Sequence, residues 1–374
     1  MLSQQATWTI AALVAIDLLF RCTVILYYSD HGRVLRILKL EKRRGSLEHY
    51  YKKYDAWMAP LPFVWTWMEI VVLVIVTTAI GHIWGWLLAI VLIGGRFRAL
   101  QEFGHNAVHF ALCRSHRWQW LLSNIFYQFP AFKRDMHSRQ ITHTKEHHRN
   151  PNHEKLDPNR ARVRDGGMVA PLTSAQFFMR LLYPLTPRGV VNNVQTMARA
   201  ILVNHSKGTV ALRVVCLLLV SILFYAIGGW QAILLGWLVP LLSSYPLFVW
   251  LALLSEHRWF VEGGASSSRF DLECWAGRPT DYSGISGWLV RILVSPTSDA
   301  YHLAHSLYPG VRWNHLSAID RVLKVLDARY TAHASHGLIF ARDHAPSALS
   351  ELRERLCPDA VKLRKHHGAT ISES

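Results

Sequence analysis

The chain of 374 residues carries 41 Lys+Arg against 25 Asp+Glu, a formal charge of +16, yet 51% of it is hydrophobic and 15 residues are Trp. That apolar fraction excludes a disordered chain. The apolar residues stand in unbroken runs with the charges confined between them, the layout of an integral membrane protein and not of two or three soluble domains. The basic residues flank apolar runs, as cytoplasmic loops do; no basic and aromatic stripe accompanies them, so no nucleic-acid partner is expected. Five widely spaced cysteines (Cys22, Cys113, Cys216, Cys274, Cys357) without a CxxC suggest neither a disulfide framework nor a thiolate metal site.

In chain order, the first apolar run is Trp8 to Tyr28, interrupted by Asp17 and Arg21. These lie four apart and could pair on one helix face, so the run reads as a spanning anchor or an interfacial helix. A basic connection, His31 to Tyr54, follows. Leu61 to Ile80 is a full span, Gly81 to Trp84 a turn, and the return run continues helix-compatible to His105. From Lys133 to Lys207 there are 13 Lys+Arg against 5 Asp+Glu and no spanning run, which predicts a large basic region on the cytoplasmic face. A second hairpin is predicted from Ala211 to Ile227, a turn at Gly228-Gly229, and Trp230 to Leu254. The remainder contains no spanning run, an amphipathic helix near Leu349 to Leu356, and a polar tail. The predicted fold is thus all-α, with four to five transmembrane helices in two hairpins and a cytoplasmic helical cap. Its parts are residues 1–58 (anchor and connection), 59–316 (membrane domain with cap) and 317–374 (C-terminal segment).

Histidine is the anomaly, with 21 residues. His105 and His109 are spaced i, i+4 at the end of the third predicted helix, the return run after Leu61–Ile80. His143, His147 and His148 follow an i, i+4, i+5 pattern, and His302 and His305 are spaced i, i+3. Such spacings place imidazoles on one helix face. His257 opens the segment after the last span. Hydropathy puts all eight at one membrane face, enough ligands for two metals with positions left for an oxidant. Without thiolates, a histidine-rich site beside lipid suggests a diiron centre that activates O2. His315 and His153 are possible extra ligands; Glu102, Glu146, Glu256, Asp157 and Asp299 could orient imidazoles through the second ring nitrogen.

The order HxxxH, HxxxHH and a late HxxH, split by a membrane hairpin, resembles the membrane fatty acid desaturase and hydroxylase family. Asp157-Pro158 after the second box and Tyr308-Pro309-Gly310 after the third resemble its flanks, and Glu256-His257 resembles its extra ligand position. The resemblance implies two iron ions, O2 as co-substrate, a fatty acyl substrate in the bilayer, and electrons from an external ferredoxin or cytochrome b5-like donor suited to the basic face. It implies desaturation first, with hydroxylation at the same site as the alternative. The sequence departs from the family at Ser306, where a second adjacent histidine is usual. Two other readings stand: a membrane zinc peptidase using His143-Thr-Lys-Glu146-His147 as HxxEH, and a non-catalytic family member.

Overall fold

The computed structural model describes residues 57–202, 206–261, 268–340 and 345–358, with isolated positions 15 and 19. Those two positions apart, the expected helix Trp8–Tyr28 with its Asp17 and Arg21, the basic connection and the polar tail lie outside the described residues. The rest is almost wholly helical; among the described residues the only strands are a two-residue parallel pair, Thr280–Asp281 with Ser335–His336.

Among the described residues, three helices are long and apolar enough to cross a membrane: Leu61–Ile80, Ile83–Val108 and Lys207–Glu256. Helix α1 (Leu61–Ile80) stops at Gly81, whose φ of +65° turns the chain left-handed while its N–H bonds Thr77 O at 3.0 Å. His82 then caps α2 (Ile83–Val108) by accepting the Trp84 N–H at Nδ1. The two halves of α2 differ. Its first turns expose Trp84, Leu87, Leu88 and Val91, whereas every residue from Ile93 to Val108 is buried. The helix therefore carries its last charged turns, including Arg98, Glu102 and His105, into the interior of the cap without a break.

The third apolar stretch is not one straight rod. Helix α3 (Lys207–Gln231) is interrupted at Gly228 and Gly229, and Gly229, at φ +60° and ψ −153°, occupies a region open essentially to glycine alone. Phe224 and Trp237, thirteen residues apart, would be separated by about 20 Å along a straight helix. Their ring centroids are 6.1 Å apart, so the chain doubles back at the glycine pair. The returning arm runs through a π-helical stretch, Ala232–Leu238, breaks again at Ser243, and continues as α4 (Ser244–Glu256). α4 crosses α2 closely: Ser244 Oγ donates to Ile90 O at 2.6 Å, and a Cβ on Gly94 would lie 2.2 Å from that oxygen. A small residue here sets the helix separation.

The cap consists of short helices between 136 and 202 and after 257. Those that matter for the site are α5 (His302–Leu307) and α6 (Trp313–Leu326), which bury Leu303, Leu316, Ile319 and Leu323 together. α6 runs through the boundary placed at 316–317 from sequence.

The amphipathic helix expected near Leu349 to Leu356 is α7 (Ala348–Leu356), with Leu349, Leu352 and Leu356 buried. Its Glu351 accepts from Arg258 at 2.8 Å and Arg355 at 2.6 Å and pairs with Arg278, which also donates to the carbonyl of His257 at 2.8 Å. Burial opposes ionisation of Glu351, but the Arg278 and Arg355 charges hold its carboxyl down to about 2. A depressed acid stabilises the fold above its unfolded value near 4.5 and loses that contribution as pH falls towards 2. Glu351→Gln is therefore expected to cost on the order of 3 kcal/mol at pH 7 and progressively less below pH 4.5. Melting temperatures of both proteins at pH 7 and pH 3 check this.

Candidate metal centre

The last turn of α2 sets His105, and His109 caps its end, so the i, i+4 pair shares a face as the spacing predicts. The second box behaves differently. Ile141–His147 is a π-helical turn in which His148 N–H bonds His143 O at 3.0 Å, an i to i+5 link. The wider turn puts His143 and His148 side by side, with Nε2 atoms 3.0 Å apart, and turns His147 towards a different neighbourhood. α5 likewise sends His305 one way and His302 the other.

Two groups result, in each of which one nitrogen per imidazole lies within 4.8 Å of all the others: His105, His109, His143, His148 and His305 in the first, His147, His257 and His302 in the second. In the first group Nε2 of His105 is 3.2 Å from Nε2 of His109 and 2.5 Å from that of His143. In the second, Nε2 of His257 is 3.2 Å from His147 and 3.1 Å from His302. Nitrogens about 2.1 Å from one ion stand about 3.0 Å apart in cis octahedral positions and about 3.4 Å apart in a tetrahedron. All but the closest pair of these contacts fall in that range. Both ring nitrogens of His305 are buried without a hydrogen-bond partner. Buried polar atoms of this kind ordinarily find partners, so an ion with imidazole ligands fits the residues present.

The protonation states agree with that fit. Burial, reinforced by the neighbouring imidazoles, drives His109, His143, His148, His257, His302 and His305 well below the usual histidine range, which keeps them neutral and able to ligate. His147 is the exception. Burial works against its proton, but Asp157 Oδ1, 2.8 Å from Nδ1, raises it overall. The same hydrogen bond places the proton on Nδ1 and turns Nε2 to the centre. Asp157 is held in turn by the N–H groups of Asn152, at 2.7 Å, and Asn159, at 2.8 Å.

The remaining candidates divide. Asp299 Oδ1 lies 3.5 Å from His105 Nδ1. Glu102 touches no imidazole; it accepts from Arg98 at 3.2 Å and from Thr297, bracing the segment before α5. Glu256 lines a cavity with His105 and His143. Glu146 is exposed, and His153 is an exposed turn residue whose Nδ1 accepts the N–H groups of Lys155 and Leu156. His315 is buried on α6 but joins neither group. Ser306 Oγ is buried without a hydrogen-bond partner.

Sequence reasoning missed two positioning residues. Asn152, at φ +61°, links the second box to the segment after α4: its Nδ2 donates to Arg258 O and its Oδ1 accepts the Phe260 N–H. Arg98, 1% exposed, pairs with both Glu102 and Asp299; its signal was a charge four residues before Glu102 inside an otherwise apolar helix.

Residues 81–337, more than half of the chain, match the family described as fatty acid desaturase. The match contains all eight convergent histidines. A similar protein is the dihydrorhizobitoxine desaturase of Bradyrhizobium elkanii, 25% identical over 291 residues, which cover 73% of this chain and 78% of that one.

Proposed function

We propose that this chain, which belongs to the fatty acid desaturase family, is an O2-dependent diiron oxidoreductase that introduces a double bond into an acyl substrate. The observation that carries the reading is the sorting of eight imidazoles, six of them buried and His109 and His143 half-buried, into groups of five and three with ligand-like nitrogen separations. His105, His109, His143, His148 and His305 would hold one iron, and His147, His257 and His302 the other. When bound, the irons supply the O2 activation needed to take hydrogen from an unactivated methylene. The balance is two hydrogens from the substrate, two electrons and two protons from outside, and O2 leaving as two waters. Asp157 keeps His147 in the ligating tautomer, Asp299 stands against Nδ1 of His105, and burial keeps the other imidazoles unprotonated. The electrons would come from a separate ferredoxin or cytochrome b5-like protein drawn to the basic face.

In this reading α1, α2 and the two arms of Lys207–Glu256 cross the bilayer as two hairpins, and the histidines lie on the cytoplasmic side, where the basic segments stay. The peptidase reading loses its support: His143 and His147 fall in different groups, and Glu146, its general base, is exposed.

The test is metal and product analysis of protein prepared anaerobically with iron. Two irons per chain and a product lighter by two hydrogens are expected. Stoichiometric zinc without iron would overturn the diiron assignment, a product heavier by one oxygen would make the enzyme a hydroxylase, and no O2-dependent turnover with a reconstituted donor would make it a non-catalytic member.

A further inference from the structure

Three cavities adjoin beside the first histidine group. The innermost, of about 240 Å³, is lined by His105 and His143 together with Arg139, Arg162 and Glu256. The next, of about 550 Å³, shares Arg139 and Arg162 and adds Lys133 and Tyr245. The third, of about 280 Å³, again has Lys133 and Arg139 on its wall. Arg139 thus faces all three spaces, and Lys133 and Arg162 face two each.

These cations are not accounted for by the fold. Arginines buried elsewhere are answered by the fold, Arg98 by Glu102 and Asp299, Arg278 by Glu351, and Arg213 by the Ala200 carbonyl and the Phe129 ring, whereas here Lys133 and Arg139 are half-buried and Arg162 is exposed to the cleft. Among the described residues, Lys133, Arg139 and Arg162 form no ion pair, and Nε of Arg139 is buried without a hydrogen-bond partner. Lys133 Nζ stands 5.3 Å over the Tyr245 ring, and burial, with the Arg162 and Arg139 charges, pushes it down to about 7. Tyr245 is itself fixed, donating to Gln101 Oε1 at 2.9 Å and accepting from Tyr127 at 2.8 Å. Of the carboxylates on these walls, Asp299 is paired with Arg98 and Asp165 with Arg164, which leaves Glu256 against the guanidinium groups of Arg139 and Arg162 and the partly protonated amine of Lys133. A hydrocarbon chain laid through this space would strip water from guanidinium and ammonium groups and return no partner. An anion would return charge-assisted hydrogen bonds, bidentate ones from the arginines.

We propose, resting on the desaturase reading above, that the substrate is a compact molecule whose carboxylate or phosphate is bound by Arg139, Arg162 and Lys133, close to the carbons presented at the histidine groups. The acyl substrate of the proposed reaction is thereby narrowed from a long chain in an apolar tunnel to a short one with a free anionic group.

Binding is measured on the full-length protein in detergent, with and without iron, using hexanoate, hexyl phosphate and the uncharged hexanamide as probes. Hexanoate or hexyl phosphate is expected to bind at least tenfold more tightly than hexanamide, and the stronger of the two identifies the anion. Arg139→Gln and Arg162→Gln should each lose about tenfold in anion affinity, whereas exposed Arg164→Gln should not. Arg139→Lys, which retains the charge, gives a second reading if Arg139→Gln does not fold. Equal binding of hexanamide, unchanged affinity in both Gln variants, or binding of phosphatidylglycerol vesicles with none of either soluble anion would overturn the proposal. Metal content is read separately, so absence of iron would refute the diiron reading and leave the anion result standing on its own.

Discussion

His305→Ala is expected to empty one metal position and to lower O2-dependent turnover by at least about 100-fold, while His315→Ala keeps full metal content and near-normal turnover. Both residues are buried, so burial does not separate them. Geometry does. His305 has both ring nitrogens free of hydrogen bonds and its ring centroid lies 4.6 Å from that of His105 and 4.7 Å from that of His109. His315 sits beyond the Pro309-Gly310 turn, on a different helix, and reaches neither group. Even an outer hydrogen bond to a ligand is worth about 10–100-fold in metal affinity or activity, and removing a ligand itself should exceed that. Ser306→His supplies the imidazole usual at this place in the family, next to a buried hydroxyl with no partner. It should preserve the metal and change the ratio of unsaturated to hydroxylated product. Iron loss in His315→Ala as large as in His305→Ala would show that the third box is completed from α6 and not left one imidazole short.

The fold was legible wherever hydropathy or a glycine decided it. Leu61–Ile80 is bounded as the apolar run and Gly81 imply, and the second hairpin turns at the Gly228-Gly229 pair. The unbroken passage of α2 to the first box followed from helix-compatible residues between Gly95 and His105. What sequence spacing could not give was the partition of the histidines. An α-helical reading makes His143, His147 and His148 neighbours on one face, whereas the π-helical turn pairs i with i+5 and sends His147 to the other group. No propensity marks such a turn, because it is fixed by tertiary contacts on both sides. The outer carboxylates show the same limit. Glu146 lies inside the box and Asp157 nine residues beyond its end, but only Asp157, at the start of Pro158–Asp165, is brought back to His147; Glu146 faces out. The cation-lined cavities were illegible for a further reason: Lys133, Arg139 and Arg162 were counted with the basic loop, and only the packing of that loop against α2 and α4 brings them to the walls of shared cavities.

Arg98→Ala is expected to destabilise the protein by about 3–5 kcal/mol and to disorder the metal centre although Arg98 touches no histidine. The guanidinium donates to Val294 O at 2.8 Å, Glu102 Oε1 at 3.2 Å and Asp299 Oδ2 at 2.7 Å, and so ties α2 to the segment that leads into α5. Removing it leaves two buried carboxylates facing each other without a cation. Glu102 still accepts the N–H groups of Thr297 and Asp299, so the repulsion falls on Asp299, the residue at His105 Nδ1. Arg98→Lys should recover only part of the loss, since an ammonium cannot serve three acceptors in the planar fork geometry of arginine. The decisive comparison is a double-mutant cycle of Arg98→Met with Glu102→Gln, followed by melting temperature and by metal content per chain. If the triad acts through charge balance, the double variant is more stable than Arg98→Met alone and regains metal. If Arg98 only fills space, the two substitutions add, and metal content tracks the side-chain volume removed instead of the charge.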